Sequence, residues 1–198
     1  MVAFSQIDIK KIIAYSSIAH MNFSLFGMFS FSVLGLSGMF YLMLGHALTS
    51  GALFWGIGVL YDRYKTRLIF YYGSLVIFMP IFSILYFIFI LSNFGFPGTS
   101  NFVGEFLILV GGFEFSNVII FLSSFGMILS LIYSLFLYNR IFFGSLQNYF
   151  IRYYGDCSRL EFTFLFLLVI LILLGGLFPQ IVFIFFKNFF ISGQIILL

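Results

Sequence analysis

Three ionisable residues, His20, His46 and Glu105, stand inside stretches that otherwise carry no charge. Imidazole titrates near neutral pH, and a carboxyl can be held ionised or protonated by its surroundings. The trio therefore has the chemistry of a proton relay. Two histidines on adjacent helices could also grip a haem from both faces. The plain alternative for each histidine is a neutral ring bonded to a neighbouring helix. Cys157, the single cysteine, allows no internal disulfide and matches no metal-ligand spacing. The expectation is no metal and no cofactor.

The setting for these groups is lipid. Of 198 residues, 63% are hydrophobic and 8% charged, with mean hydropathy +1.18. A soluble domain carries about 25% charged residues. So few charges cannot cover a surface in water, which excludes a soluble enzyme, a disordered segment and a disulfide scaffold. The pI near 9.0 reflects a surplus of three basic charges, with no basic stripe to meet a nucleic acid. Phe occurs 33 times and Tyr 12 times, as AT-rich organellar codons would favour. Lys10 and Lys11 precede an apolar run that is too long for a signal peptide, lacks a cleavage site and carries His20, so it reads as a span.

Asp, Glu, Lys and Arg are absent from 12–61, 68–104, 115–139 and 162–186. A spanning helix needs roughly 20 apolar residues. The expected spans are 12–31 and 38–60 with a turn from Ser32 to Gly38, then 80–113, 115–139 and 163–186. The third is broken at 93–100 by a stretch containing Pro97 and Gly98, with Pro80 in its first turn and 68–79 as an apolar connector. The expectation is thus an all-α polytopic membrane protein, one transmembrane domain over 1–198, with about five helices and the third discontinuous. Five crossings place Lys10, Lys11, Arg63, Lys65, Arg67, Arg140, Arg152 and Arg159 on one side, which is eight of the nine basic residues. Counting the broken span as two crossings would divide them six to three. Tyr61, Tyr64, Tyr71 and Tyr72 read as an interfacial belt, Glu114 as solvated and Lys187 as snorkelling from the last span.

At ~1.5 Å per residue, His20, Glu105 and His46 lie ~12, ~17–18 and ~21 Å from the basic side, all near mid-membrane. Glu105 also follows the break, where a helix N-terminus favours a carboxylate. The ~9 Å offset between the histidines speaks against haem, which also leaves Glu105 unexplained. A structural anchor explains none of the three. On this reading Ser16, Ser17, Thr49, Ser50 and Asn101 hold bridging waters, and transfer runs through water rather than direct contact.

The run from Asp8 to Met21, DIKKIIAYSSIAHM, resembles the hallmark segment of the antiporter-like subunits of respiratory complex I. The same resemblance is carried by His46 with the Tyr61 to Arg67 loop. It is strongest in PGTSNFVGEF, Pro97 to Phe106, a Pro-Gly break leading into a buried Glu. Phe125-Gly126 and Tyr133-Ser134-Leu135 extend it. The resemblance implies an antiporter-like bundle fragment: the last five of about fourteen helices that include two inverted repeats. It implies proton translocation coupled to NADH:quinone oxidoreduction elsewhere, with His20, His46 and Glu105 as the second half of the path. No redox site is implied in this chain.

The family's first half uses a Glu–Lys pair and a bridging Lys, and no Lys lies inside a span here. The implied partners are a separate chain bringing roughly nine helices, the membrane-arm subunits numbered 2 and 5, and lipid. The chain is then the product of a split gene or a truncated copy, and Met1 just before the hallmark segment favours the split gene. The implied location is the mitochondrial inner membrane with basic loops in the matrix, or else a bacterial plasma membrane.

Overall fold

Among the described residues the named α-helices are α1 Ile9–Phe29, α2 Val33–Tyr64, α3 Leu75–Phe78, α4 Pro80–Asn93, α5 Ser100–Phe113, α6 Asn117–Phe142 and α7 Arg159–Leu177. This computed structural model describes residues 2–145, 155–180 and 182–184, and no strand occurs among them. α1, α2, α6 and α7 are long and apolar enough to cross a membrane. α4 and α5 have 14 residues each. At ~1.5 Å per residue either is ~21 Å long, too short alone for a ~30 Å hydrocarbon core. They touch little side by side, as halves of one interrupted crossing do. The protein is an all-α polytopic membrane protein with a discontinuous third crossing.

The turn expected from Ser32 to Gly38 is corrected. The helices part only at 30–32, where Phe31 takes φ 51° and Ser32 caps α2 by accepting from Gly35 N–H at 3.0 Å. Gly35 and Gly38 are helical and buried, because in lipid small residues serve close helix packing more than turns. A Cβ on Gly38 would lie 2.7 Å from Ile108 N, and one on Gly104 2.6 Å from Leu42 N. This glycine seam makes α2 with α5 the most extensive helix pair in the fold.

One end of the bundle gathers the basic residues. Ile9 N–H donates to Arg67 O and Ile69 N–H to Ile7 O, both at 3.0 Å. Arg63 holds the Glu161 carboxylate with two hydrogen bonds, of 2.7 and 3.2 Å, and donates to the carbonyls of Gly155 and Asp156. Asp156 in turn accepts from the Ile81 and Phe82 amides at 2.9 and 3.2 Å, satisfying orphan donors at the start of α4. α7 begins with a capping box, Ser158 and Glu161. Arg152, Lys187 and parts of the expected 163–186 span lie outside the described residues.

The connector folds into a 3-10 turn, Ile69–Tyr71, and α3. Here the aromatic-belt reading fails for Tyr72. Its ring is buried, packs edge-on against Tyr64 at 5.6 Å, and its hydroxyl donates to Thr66 O at 2.6 Å. Burial pushes that hydroxyl up to about 12. Tyr61 does stay at the surface, with the Arg67 guanidinium 4.6 Å over its ring.

Candidate functional site

α4 stops for a stated geometric reason. Phe96 N–H donates to Leu91 O at 3.1 Å and Gly95 N–H to Ser92 O at 3.2 Å, with Gly95 at φ +72°. That is a Schellman motif, which needs a left-handed residue at Gly95. A turn over Phe96–Thr99 follows, closed by Thr99 N–H to Phe96 O at 3.1 Å. Pro97 fills its second place and Gly98, at φ +95°, its third, as a type II turn requires. The sequence places the break at 93–100, Gly95 included, and rests it on Pro97 and Gly98; the structure shows that Gly95 is the residue that ends α4. Its signal is a glycine two residues past Asn93 and just before the apolar Phe96.

The break folds back over the acid. A Cβ on Gly95 would collide with Glu105 Oε2, so the carboxylate rests against bare backbone. Its other oxygen, Oε1, lies 3.4 Å from His20 Nδ1. The His20 and His46 rings stand 5.0 Å apart between centroids, tilted by 32°. His20, His46 and Glu105 are 5%, 4% and 3% exposed. α1, α2 and α5 each supply one member, and the glycine seam lets the latter two come close enough.

This corrects the ~9 Å offset between the histidines inferred from the sequence. Gly27 faces Gly35 across α1 and α2. His20 lies seven residues before the one and His46 eleven beyond the other, which at ~1.5 Å per residue leaves ~6 Å along the axis. The side chains span that distance. Two rings in contact leave no layer for a porphyrin, and His20 is engaged by Glu105, so these histidines do not fit a haem.

Of the supporting polar residues, Asn101 Nδ2 donates to Thr49 Oγ1 at 3.3 Å and Thr49 Oγ1 to His46 O at 3.2 Å. A Cβ on Gly45 would sit 2.6 Å from Asn101 Oδ1, so only glycine admits that amide. Ser16, buried on the His20 face of α1, donates to Ile13 O at 2.7 Å. Ser17 and Ser50 do not join them. Each follows one residue later, ~100° round the helix. Both are half-buried, and they bond to the carbonyls of Ala14 and Ala47. Sequence reasoning missed Tyr133 of α6, which comes beside Ser16, Asn93 and Glu105.

His20 Nε2, His46 Nδ1, Asn93 Oδ1, Ser100 Oγ and Asn101 Oδ1 are buried without a hydrogen-bond partner among the described residues. Leaving a polar group dry in an apolar medium costs several kcal/mol. They gather around one break, and water is the usual partner of such buried groups. A cavity of about 70 Å³ opens beside His20 and Glu105, lined further by Phe23, Ser123, Met127 and Ser130.

A family model described as NADH:quinone oxidoreductase/Mrp antiporter, TM, matches residues 1–132. The chain belongs to this antiporter family. It is 48% identical over 181 residues to NADH-ubiquinone oxidoreductase chain 4 of Marchantia polymorpha and 50% identical over 181 residues to that of Arabidopsis thaliana. Each alignment takes in 91% of this chain and 37% of the relative. The chain thus spans little more than a third of the curated relatives it matches. Among solved structures, a chain of respiratory complex I from Thermus thermophilus with bound NADH superposes with TM-score 0.84 at 33% identity, covering 90% of this chain and 37% of that one. A chain of the Mrp complex from Dietzia sp. matches with TM-score 0.80 at 19% identity, over 91% of this chain and 42% of that one, a likeness of fold. These relatives accord with the antiporter-like character read from the Pro97 to Phe106 segment and lend nothing to the haem alternative.

Proposed function

We propose that this chain carries the second half of a proton path in a membrane-arm subunit of respiratory NADH:quinone oxidoreductase, corresponding to the C-terminal part of chain 4. The observation that carries this reading is the buried row His46, His20, Glu105, in which each group touches the next. His20 stands at the centre of the row and exchanges protons with His46 by ring-to-ring contact or one water. Glu105 takes a proton from His20 across 3.4 Å. Asn101 and Thr49 tie α5 to the backbone of α2 at His46, while Gly95 holds the carboxylate in place.

The whole chain acts as one transmembrane domain. The chain lies in the mitochondrial inner membrane, which fits the relatives' names, with its basic loops toward the matrix by the positive-inside rule. Proton entry is supplied by a separate chain bearing the family's remaining helices, packed on α1 and α5 with a Lys toward His20. Neighbours of the kind numbered 2 and 5 continue the membrane arm. His46→Phe tests the relay, since it keeps a ring against His20 but carries no proton. In the assembled complex, reconstituted in vesicles, proton uptake per NADH oxidised falls. Unchanged uptake would remove His46 from the path.

A further inference from the structure

The basic end of the bundle holds more cations than its carboxylates pair. Lys11 meets Asp8 at 3.4 Å, Lys65 meets Asp62 at 3.9 Å and Arg63 holds Glu161. Lys10 and Arg67 have no carboxylate in salt-bridge reach among the described residues, and both line one groove. We infer that this groove binds the headgroup of an anionic phospholipid, with one acyl chain laid along α2. The groove needs no proton path: Gly58, one of its lining residues, stands 12 residues, ~18 Å, beyond His46 along α2.

Backbone pairing brings the two cations together. Ile9 N–H donates to Arg67 O at 3.0 Å, and Asp8 and Leu68 form an isolated antiparallel bridge, so the loop after α2 lies against the start of α1. The groove that Lys10 and Arg67 line measures about 440 Å³, and Phe54, Ile57, Gly58 and Tyr61 complete it. These four repeat at i, i+3, i+4 and i+7, one stripe ~10 Å long that runs from the charged mouth into the apolar span. The Arg67 guanidinium lies 4.6 Å over the Tyr61 ring, a contact that leaves its N–H edge for oxygen acceptors. A Cβ on Gly58 would meet nothing within 4 Å, so the stripe has a notch there.

Charge and depth together select the occupant. Two unpaired cations attract an anion, and a phosphodiester presents oxygens to both. A free phosphate gains nothing from ~10 Å of apolar wall, whereas an acyl chain fits it. A zwitterionic headgroup brings a further cation to a place that has two. The carboxylates lie past Gly58, where a neighbouring groove of about 370 Å³ includes Asp62 and Glu161. A hollow of about 420 Å³ between α2 and α7 has no charged residue in its lining and selects no headgroup. Each basic residue at a membrane surface favours anionic lipid about fivefold.

The test uses the assembled complex in phosphatidylcholine vesicles with a trace of photoactivatable lipid, its diazirine on the acyl chain. The probe is phosphatidylglycerol in one sample and phosphatidylcholine in the other. Labelling is read in the α2 peptide that carries Phe54 to Tyr61. The expected result is labelling by the anionic probe many times that by the zwitterionic one. Lys10→Gln and Arg67→Gln each lower it about fivefold, and raised salt lowers it too. Arg140→Gln removes an exposed cation outside the groove and leaves labelling unchanged. Gly58→Leu fills the notch without touching a charge and also lowers labelling, so it decides the matter if the charge variants do not assemble. Equal labelling by the two probes overturns the site. So does a preference that survives both charge variants, which would be the pull of the whole basic end. Silence from both probes overturns it as well, because a polypeptide then covers the groove.

Discussion

Glu105 is held by two different restraints, and each makes a prediction. Gly95 needs its positive φ, and a Cβ there would also strike the carboxylate; at Gly98 a Cβ meets open space. Gly98→Ala should cost about 1 kcal/mol of backbone strain. Gly95→Ala should cost more and also lower proton uptake, read by thermal unfolding and by pumping in the same preparations. Cys157 behaves oppositely to an activated thiol. Burial, with Asp156 and Glu161 nearby, pushes it up to about 12. Since only the thiolate reacts, alkylation at pH 8.5 should be far slower in the folded chain than in the unfolded one, and should rise only as the pH nears 12. Equal rates at pH 8.5 would contradict that environment. The trio itself was legible because a titratable group in an apolar run is an anomaly. Tyr133, Asn93 and Ser130 were not, since uncharged polar residues on membrane helices are common and only packing shows which face they take.

The helices are where a sequence rule and the structure part company. Charge-free intervals locate the crossings, and Pro97-Gly98 marks the broken one. Glycines at 35 and 38 read as a turn because composition alone cannot tell a flexible glycine from one that admits a neighbouring backbone. Gly104→Val tests this. The Cβ position is already 2.6 Å from Leu42 N, so the seam must open. The expected result is loss of assembled complex on native gels, while Gly51→Val, with nothing within 4 Å, assembles. Arg63 is the corresponding device at the basic end, joining α2 to α7 and to the Asp156 cap of α4. Arg63→Lys keeps the charge but loses the planar fork. Several charge-assisted hydrogen bonds go with it, a cost of about 1–3 kcal/mol since Glu161 is partly exposed. The measured midpoint of thermal unfolding should fall accordingly, and an unchanged midpoint would show that Lys can replace the fork.

At the scale of the whole molecule, five crossings leave much of α1 and α6 uncovered, with Ile18, Leu25, Phe121 and Phe125 exposed. The proposed partner would bury the α1 part of that surface. A photo-crosslinking side chain at Ile18 should capture a second polypeptide of the same antiporter family, and capture of lipid alone would remove that partner. In the proposed path this bundle moves protons through a carboxyl that titrates. Glu105→Gln is the direct test, because it keeps the shape of the side chain and removes the proton. The measurement is proton uptake per NADH oxidised in vesicles holding the assembled complex. The prediction is an intact complex with lowered uptake per electron or slowed coupled turnover. Wild-type uptake and turnover in the assembled Glu105→Gln complex would mean that Glu105 only holds the broken helix together, and that the proton path does not run through this site.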